Sequence, residues 1–192
     1  MEKSKNSRRK FIETTALGAG FLAVTSASRL FSQEPAVLAP VVKNVWNTSK
    51  RYLMEFANAM PDGKYDFKPT EEVFSFAEQL LHLVGTNYWC FSSIKGEKSP
   101  KAQDAFNSEG KTKSDVINLL KESFDYGDGV ISGLTEKSAT EEISMGQNKL
   151  AKWKILLFCA EHITHHRGQI IVYLRLNGIT PPEYKTGFFG QS

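Results

Sequence analysis

From Trp153 to Asn177 the chain runs for more than twenty residues without a proline. Leu150, Trp153, Leu156, Leu157, Phe158, Ile170, Ile171 and Leu174 recur in it at mixed three- and four-residue steps, the period of a helix with one apolar stripe. Gly178 supplies a C-terminal stop, with Pro181 and Pro182 just beyond it. A helix of this length has a face to bury, and the rest of the chain has to supply its partners.

Three of the chain's four histidines, His162, His165 and His166, lie inside that helix. His162 and His166 are four apart, so their imidazoles sit about one turn apart on one face. Taking about 100° per residue, Ile155, Phe158, Cys159, Gln169 and Tyr173 point within about 60° of the same direction, and His165 falls about 60° away from it. Two histidines at this spacing can share one divalent ion, as in metal-binding helices of the HExxH type. They make only half a site, and an amphipathic helix can also carry such a pair on ordinary hydrogen bonds. A third ligand decides between the two. The remaining histidine is His82, in Phe74-Ser75-Phe76-Ala77-Glu78-Gln79-Leu80-Leu81-His82-Leu83. On a helical wheel His82 falls with Ser75, Glu78, Gly85 and Trp89, about 200° from Leu80, so periodicity alone places it at the surface.

Three more helices are expected upstream. The first runs from about Pro40 to Met60, with Val42, Val45, Trp46, Tyr52, Leu53, Phe56 and Met60 as its apolar face. Pro61-Asp62-Gly63-Lys64 reads as a turn. Thr70 is the expected N-cap of the second helix, with Glu71 and Glu72 in its first turn and its end near Ser93. The third spans about Ser114 to Gly133 and buries Val116, Leu119, Leu120, Phe124 and Ile131; Gly127 and Gly129 are expected to weaken or bend its last turns. Residues 94–112 and 135–148 are polar connectors; Ile143–Met145 offers a short extended piece, but no strand set worth a sheet is expected. Four amphipathic helices of about twenty residues imply an all-α four-helix bundle.

Lys68-Pro69-Thr70, then FAEQLLHLVGTNYW and, much later, EHITHHRGQIIVYLRLNGITPP resemble the DinB family (DinB/YfiT-like metalloenzymes). The resemblance covers roughly residues 36–183. It implies up-down-down-up order of the helices and a divalent metal held by His82, His162 and His166; His165 has no place in the pattern. Characterised members include transferases and isomerases that use low-molecular-weight thiols.

The formal charge of +3 misleads if taken whole. Residues 1–27 hold five bases and two acids, which leaves nineteen of each in the remainder. No basic stripe remains for nucleic acid or an acidic membrane surface. Ser7-Arg8-Arg9-Lys10-Phe11-Ile12, a modest apolar run over 16–24 and Thr25-Ser26-Ala27 have the layout of a twin-arginine signal peptide. The apolar run is too short to span a bilayer. The expected division is a leader at 1–27, a linker at 28–38 and one domain at 39–192. The expected destination is the periplasm or another exported location, with the twin-arginine translocase as a transient partner and no stable membrane span after processing. The aromatic tail containing Phe188 and Phe189 offers a surface for the bundle or for a second copy, a homodimer. Cys90 and Cys159 lack the spacing of a redox or zinc motif and read as buried small hydrophobes.

Three neutral imidazoles leave an ion its full charge and an open position, the arrangement of catalytic rather than closed structural sites. Zinc or nickel suits an all-nitrogen set better than iron or manganese. Glu78, one turn before His82, and Glu161, beside His162, are the carboxylates placed to orient a ligand or take a proton. Arg167 and Arg175 can hold an anionic substrate or pair with surface acids, and Gly168 leaves room for close approach. The expected activity is metal-dependent hydrolysis or group transfer on a small molecule of unknown identity. Hydrolysis is favoured because an exported protein meets few small thiols. The competing class is a non-catalytic metal-binding protein for sensing, storage or bundle stability.

Overall fold

The computed structural model describes residues 38–145 and 147–185. The leader at 1–27, most of the linker and the aromatic tail beyond residue 185 lie outside the described residues. Helix α1 covers Leu38–Ala59, α2 Phe76–Lys95, α3 Lys113–Gly133, α4 Glu136–Thr140 and α5 Lys152–Leu176. Strands β1 (Glu142–Met145) and β2 (Asn148–Ala151) pair antiparallel, with Ile143 opposite Leu150. The four long helices match the expected ones. The hairpin does not: the connector expected to be free of paired strands folds into a two-stranded ribbon that leads directly into α5.

The directions of the helices follow from which residues meet. Val42 and Val45 of α1 share a groove with Leu157 and Ala160 of α5, and further along Ser49 meets Arg167, so α1 and α5 run parallel. Trp46 Nε1–H donates to Asp128 Oδ1 at 2.7 Å, whereas Lys113 Nζ, at the start of α3, reaches the Met60 carbonyl at 2.8 Å; α1 and α3 are antiparallel. Asn87 pairs with Ser123, and Phe91 lies against Gly127, so α2 and α3 run parallel. Gln79 meets Tyr173 while Asn87 meets Cys159, so α2 and α5 are antiparallel. The order is therefore up-down-down-up. The parallel pair α2–α3 requires the long crossover over residues 96–112, which contains a short 3₁₀ turn at Gln103–Phe106.

Apolar burial by both faces of α2 holds the bundle together. Trp46, Leu53, Phe56, Leu80, Phe91 and Phe124 are each at most 2% exposed, and each such side chain stabilises the fold by roughly 1.5–3 kcal/mol. Trp46 packs edge-on against Phe91 and tilted against Phe124, at centroid distances of 4.9 and 4.8 Å. Gly127 makes this possible: a Cβ there would lie 2.4 Å from Trp46 Cζ2 and 2.7 Å from Phe91 Cε2. The residue expected to weaken α3 is instead the point where α1 and α2 press closest to it, and the helix continues to Gly133.

The start of α2 also differs from expectation. Ser75, not Thr70, is the N-cap, in a reciprocal capping box: Ser75 Oγ accepts from Glu78 N–H, and Glu78 Oε2 accepts from Ser75 N–H at 2.6 Å. The preceding residues fold back onto the bundle, because Phe76 and Ala77 N–H donate to the carbonyls of Phe67 and Tyr65. Glu71 and Glu72 thus lie in the exposed loop rather than in the first helical turn.

Candidate metal centre

His82 projects from the middle of α2, and His162 and His166 from the facing turns of α5. The antiparallel crossing brings the three rings together, with one ligand atom from each lying within 4.8 Å of the others. The Nε2 atoms of His82 and His162 are 3.1 Å apart. Two lone pairs cannot face each other at that distance without a proton or a cation between them. Two nitrogens each about 2.0–2.1 Å from one ion at a tetrahedral angle stand roughly 3.3 Å apart, so the spacing suits a shared ion. Exposure falls along the series: His82 is exposed, His162 half-buried and His166 buried. Periodicity was right that His82 lies at the surface. It is a member of the cluster all the same, because the cluster opens there.

His166 is held in one tautomer. Gln79 Oε1 can only accept, so the 2.6 Å contact requires His166 Nδ1 to carry its proton and leaves Nε2 as the lone-pair nitrogen. Gln79 Nε2–H donates in turn to the Tyr173 hydroxyl at 3.3 Å, and that hydroxyl donates to the Phe74 carbonyl at 2.6 Å. A buried partner that fixes the far nitrogen of a ligating histidine is the usual support of a metal site. Sequence reasoning placed Tyr173 on the histidine face of its helix but gave no part to Gln79. His162 Nδ1 is buried with no hydrogen-bond partner among the described residues.

Burial holds His82 and His162 below the ordinary histidine range, with the neighbouring imidazoles adding to the effect at His162. Burial, then the other imidazoles, pushes His166 down to about 4. All three rings are therefore neutral at neutral pH, the form that binds a metal.

The DinB family profile matches residues 38–191. The chain belongs to the DinB family. An uncharacterised protein of Bacillus subtilis, YjoA, is 28% identical over 131 residues, spanning 66% of this chain and 82% of that protein. The crystal structure of that DinB-like protein superposes with a TM-score of 0.62 at 26% identity, covering 78% of this chain and 99% of the other. A DinB-like protein from Bacillus cereus has the same fold, with a TM-score of 0.64, 16% identity and coverage of 75% and 95%. A DinB family domain with a histidine triad able to hold a metal ion is thus established, on an all-α bundle.

The other residues singled out from sequence fall in three places. Glu78 lines the same cleft as His82, but its Oε2 caps α2 and pairs with Lys68 Nζ at 3.1 Å; the Ser75 N–H holds its carboxyl below the usual range. Glu161 is exposed and lines the groove between α1 and α5 together with His165, apart from the cleft. Arg167 is buried and faces α1: Nη1 donates to Ser49 Oγ at 3.3 Å, and the guanidinium lies over Tyr52 and Tyr184 at 5.5 and 5.4 Å. The Tyr52 hydroxyl donates to the Glu183 carbonyl and accepts from Lys185 N–H, which pins the chain after α5 onto α1. Arg167 is therefore a clasp for that segment. Arg175 lines a separate shallow hollow with Gly178 and Pro181. A Cβ at Gly168 would meet nothing within 4 Å among the described residues. Cys90 and Cys159 are free and buried as expected; Cys159 Sγ–H donates to Asn87 Oδ1 at 3.5 Å, and the hydrogen bond to Cys90, with burial behind it, raises its thiol well above the usual value.

Proposed function

We propose that this protein is an exported, metal-dependent enzyme that hydrolyses a small-molecule substrate, with group transfer as the related reaction. The observation that carries the reading is the position of the triad: three neutral imidazoles converge where His82 meets a cleft of about 470 Å³. A structural site is closed on all sides, whereas this one meets an opening large enough for a small ligand. His82, His162 and His166 hold the ion, zinc or nickel for an all-nitrogen donor set. When bound, such an ion supplies Lewis-acid polarisation of a substrate oxygen and activation of water near neutral pH.

The chain's own contribution is orientation and proton handling. Gln79 keeps the His166 lone pair aimed at the cluster. Glu78 offers the cleft its Oε1, since Oε2 is engaged in the helix cap, and we assign it the role of proton acceptor. Glu161, in the other groove, is the second carboxylate to test. Export through the twin-arginine route rests on residues 1–27.

Elemental analysis of the purified mature protein tests the reading. About one divalent ion per chain is expected, lost in His82→Ala, His162→Ala and His166→Ala and kept in His165→Ala. No metal after growth in metal-replete medium, and none taken up on titration, refutes it. With the ion present, Glu78→Gln should slow turnover of an ester or amide substrate while metal content is unchanged.

A further inference from the structure

Resting on the metal-site reading above, we propose that the cleft beside the triad is a recognition subsite for an uncharged aromatic group of the substrate. Single exposed apolar side chains are ordinary. Here Phe74 and Trp89, exposed by 47% and 50%, line the cleft with His82, and Phe158, exposed by 43%, packs beside it against Trp89 and His162. The Phe74 ring lies 5.5 Å from that of His82. Phe158 stacks on His162 at 5.7 Å and 28°, and Trp89 meets Phe158 edge-on at 6.1 Å.

Helix direction explains how they converge. Trp89 is two turns after His82 on α2, and Phe158 is one turn before His162 on α5. Because the two helices are antiparallel, both aromatics lie off the same side of the triad, while Phe74 closes the other side. Seven residues of helix rise roughly 10 Å, so His82 and Trp89 line the same cleft from positions about two turns apart. Phe106 forms part of the wall and approaches because residue 85 is glycine: a Cβ there would stand 3.1 Å from Phe106 Cδ2.

The charges of the wall favour an uncharged group. Among the described residues no lysine or arginine lines the cleft; its one charged residue is Glu78, whose Oε2 is paired with Lys68 at 3.1 Å. Arg167, the cation nearest in sequence to the ligands, is turned away onto Tyr52 and Tyr184. An anionic substrate finds its counter-charge only in an ion on the triad and none in the described wall, whereas an aromatic ring finds the edges and faces of Phe74, Trp89 and Phe106.

The test compares benzohydroxamate with acetohydroxamate on the zinc-loaded mature protein, with metal content measured in the same samples. The chelating heads are identical, and only the phenyl can use the cleft. Half-burial of the ring predicts about tenfold tighter binding of benzohydroxamate. The double variant Trp89→Ala/Phe158→Ala should bring the two affinities together and leave acetohydroxamate binding and metal content unchanged. Equal affinities in the unsubstituted protein overturn the subsite while the metal reading stands. If no metal is bound, or neither hydroxamate reaches it, the metal reading fails separately. The subsite is then decided by benzyl alcohol: saturable quenching of Trp89 fluorescence, judged against Trp89→Phe and absent with methanol, supports it, and no quenching overturns it.

Discussion

Gln79→Ala removes a buried group that orients a histidine of the triad from outside it. In the native chain Gln79 is 5% exposed; it accepts from His166 Nδ1–H at 2.6 Å and donates to Tyr173. After truncation the His166 ring is free to rotate, and its Nδ1–H is left buried without an acceptor. Loss of such a support typically weakens metal binding 10- to 100-fold, about 1.4–2.8 kcal/mol. The Tyr173 hydroxyl keeps its bond to the Phe74 carbonyl, so the damage stays on the histidine side. Competition with a chromophoric chelator reads the zinc affinity directly, with circular dichroism confirming the fold. Gln79→Glu is the informative partner, because a carboxylate still accepts the Nδ1 proton and makes the ligand more basic; its affinity should equal or exceed the native value. A folded Gln79→Ala protein that binds zinc as tightly as the native chain refutes the assigned orientation of His166.

Gly127→Ala should destabilise the bundle by about 1–3 kcal/mol through overpacking, despite the better helix propensity of alanine, because its Cβ would stand 2.4 Å from Trp46; a lower Tm in thermal melts checks this, and Gly129→Ala, with nothing within 4 Å, should be neutral or stabilising. The metal-free protein should lose stability as pH falls from about 6.5 towards 4, because the unfolded chain takes up a proton that buried His166, pushed down to about 4, refuses. By pH 5 that one residue should cost roughly 2 kcal/mol, measured as a shift in the urea midpoint that His166→Gln removes. Arg8→Lys/Arg9→Lys should hold the precursor in the cytoplasm although charge is unchanged, and normal export of that variant on cell fractionation would point to the general secretory route.

What was legible in the sequence was whatever depends on local period and spacing. The long helix α5 announced itself by its apolar stripe, and the His162–His166 pair by its four-residue step. The N-cap of α2 was also written in local form, as Ser75-Phe76-Ala77-Glu78, but Thr70-Glu71-Glu72 presents a competing helix-start pattern. Only the return of residues 65–67 onto the helix start decides between them. The hairpin was hidden because its strands are four residues each: Glu142-Ile143-Ser144-Met145 does alternate, but over too few residues to announce a pairing with Asn148–Ala151. Gln79 was invisible for a different reason. Its role exists only where His166 meets it, 87 residues along the chain. The wheel placed His82 correctly at the surface, but periodicity reports burial and says nothing of which rings meet across the helix crossing, so its membership of the cluster was not readable from it.

The separation of the three histidines along the chain has a consequence for how an ion held by them would be acquired. His82 precedes His162 by 80 residues, and α5 is synthesised after the other three long helices described. A nascent chain that has completed α1, α2 and α3 owns one of the three imidazoles and none of the affinity of the set. Capture can begin only once α5 has been released and laid antiparallel along α2. Affinity for divalent ions follows a fixed order, so the ion that is kept depends on which ions are present when the set closes. On the metal-site proposal, the compartment in which α5 docks on α2 is therefore the compartment that would choose the metal.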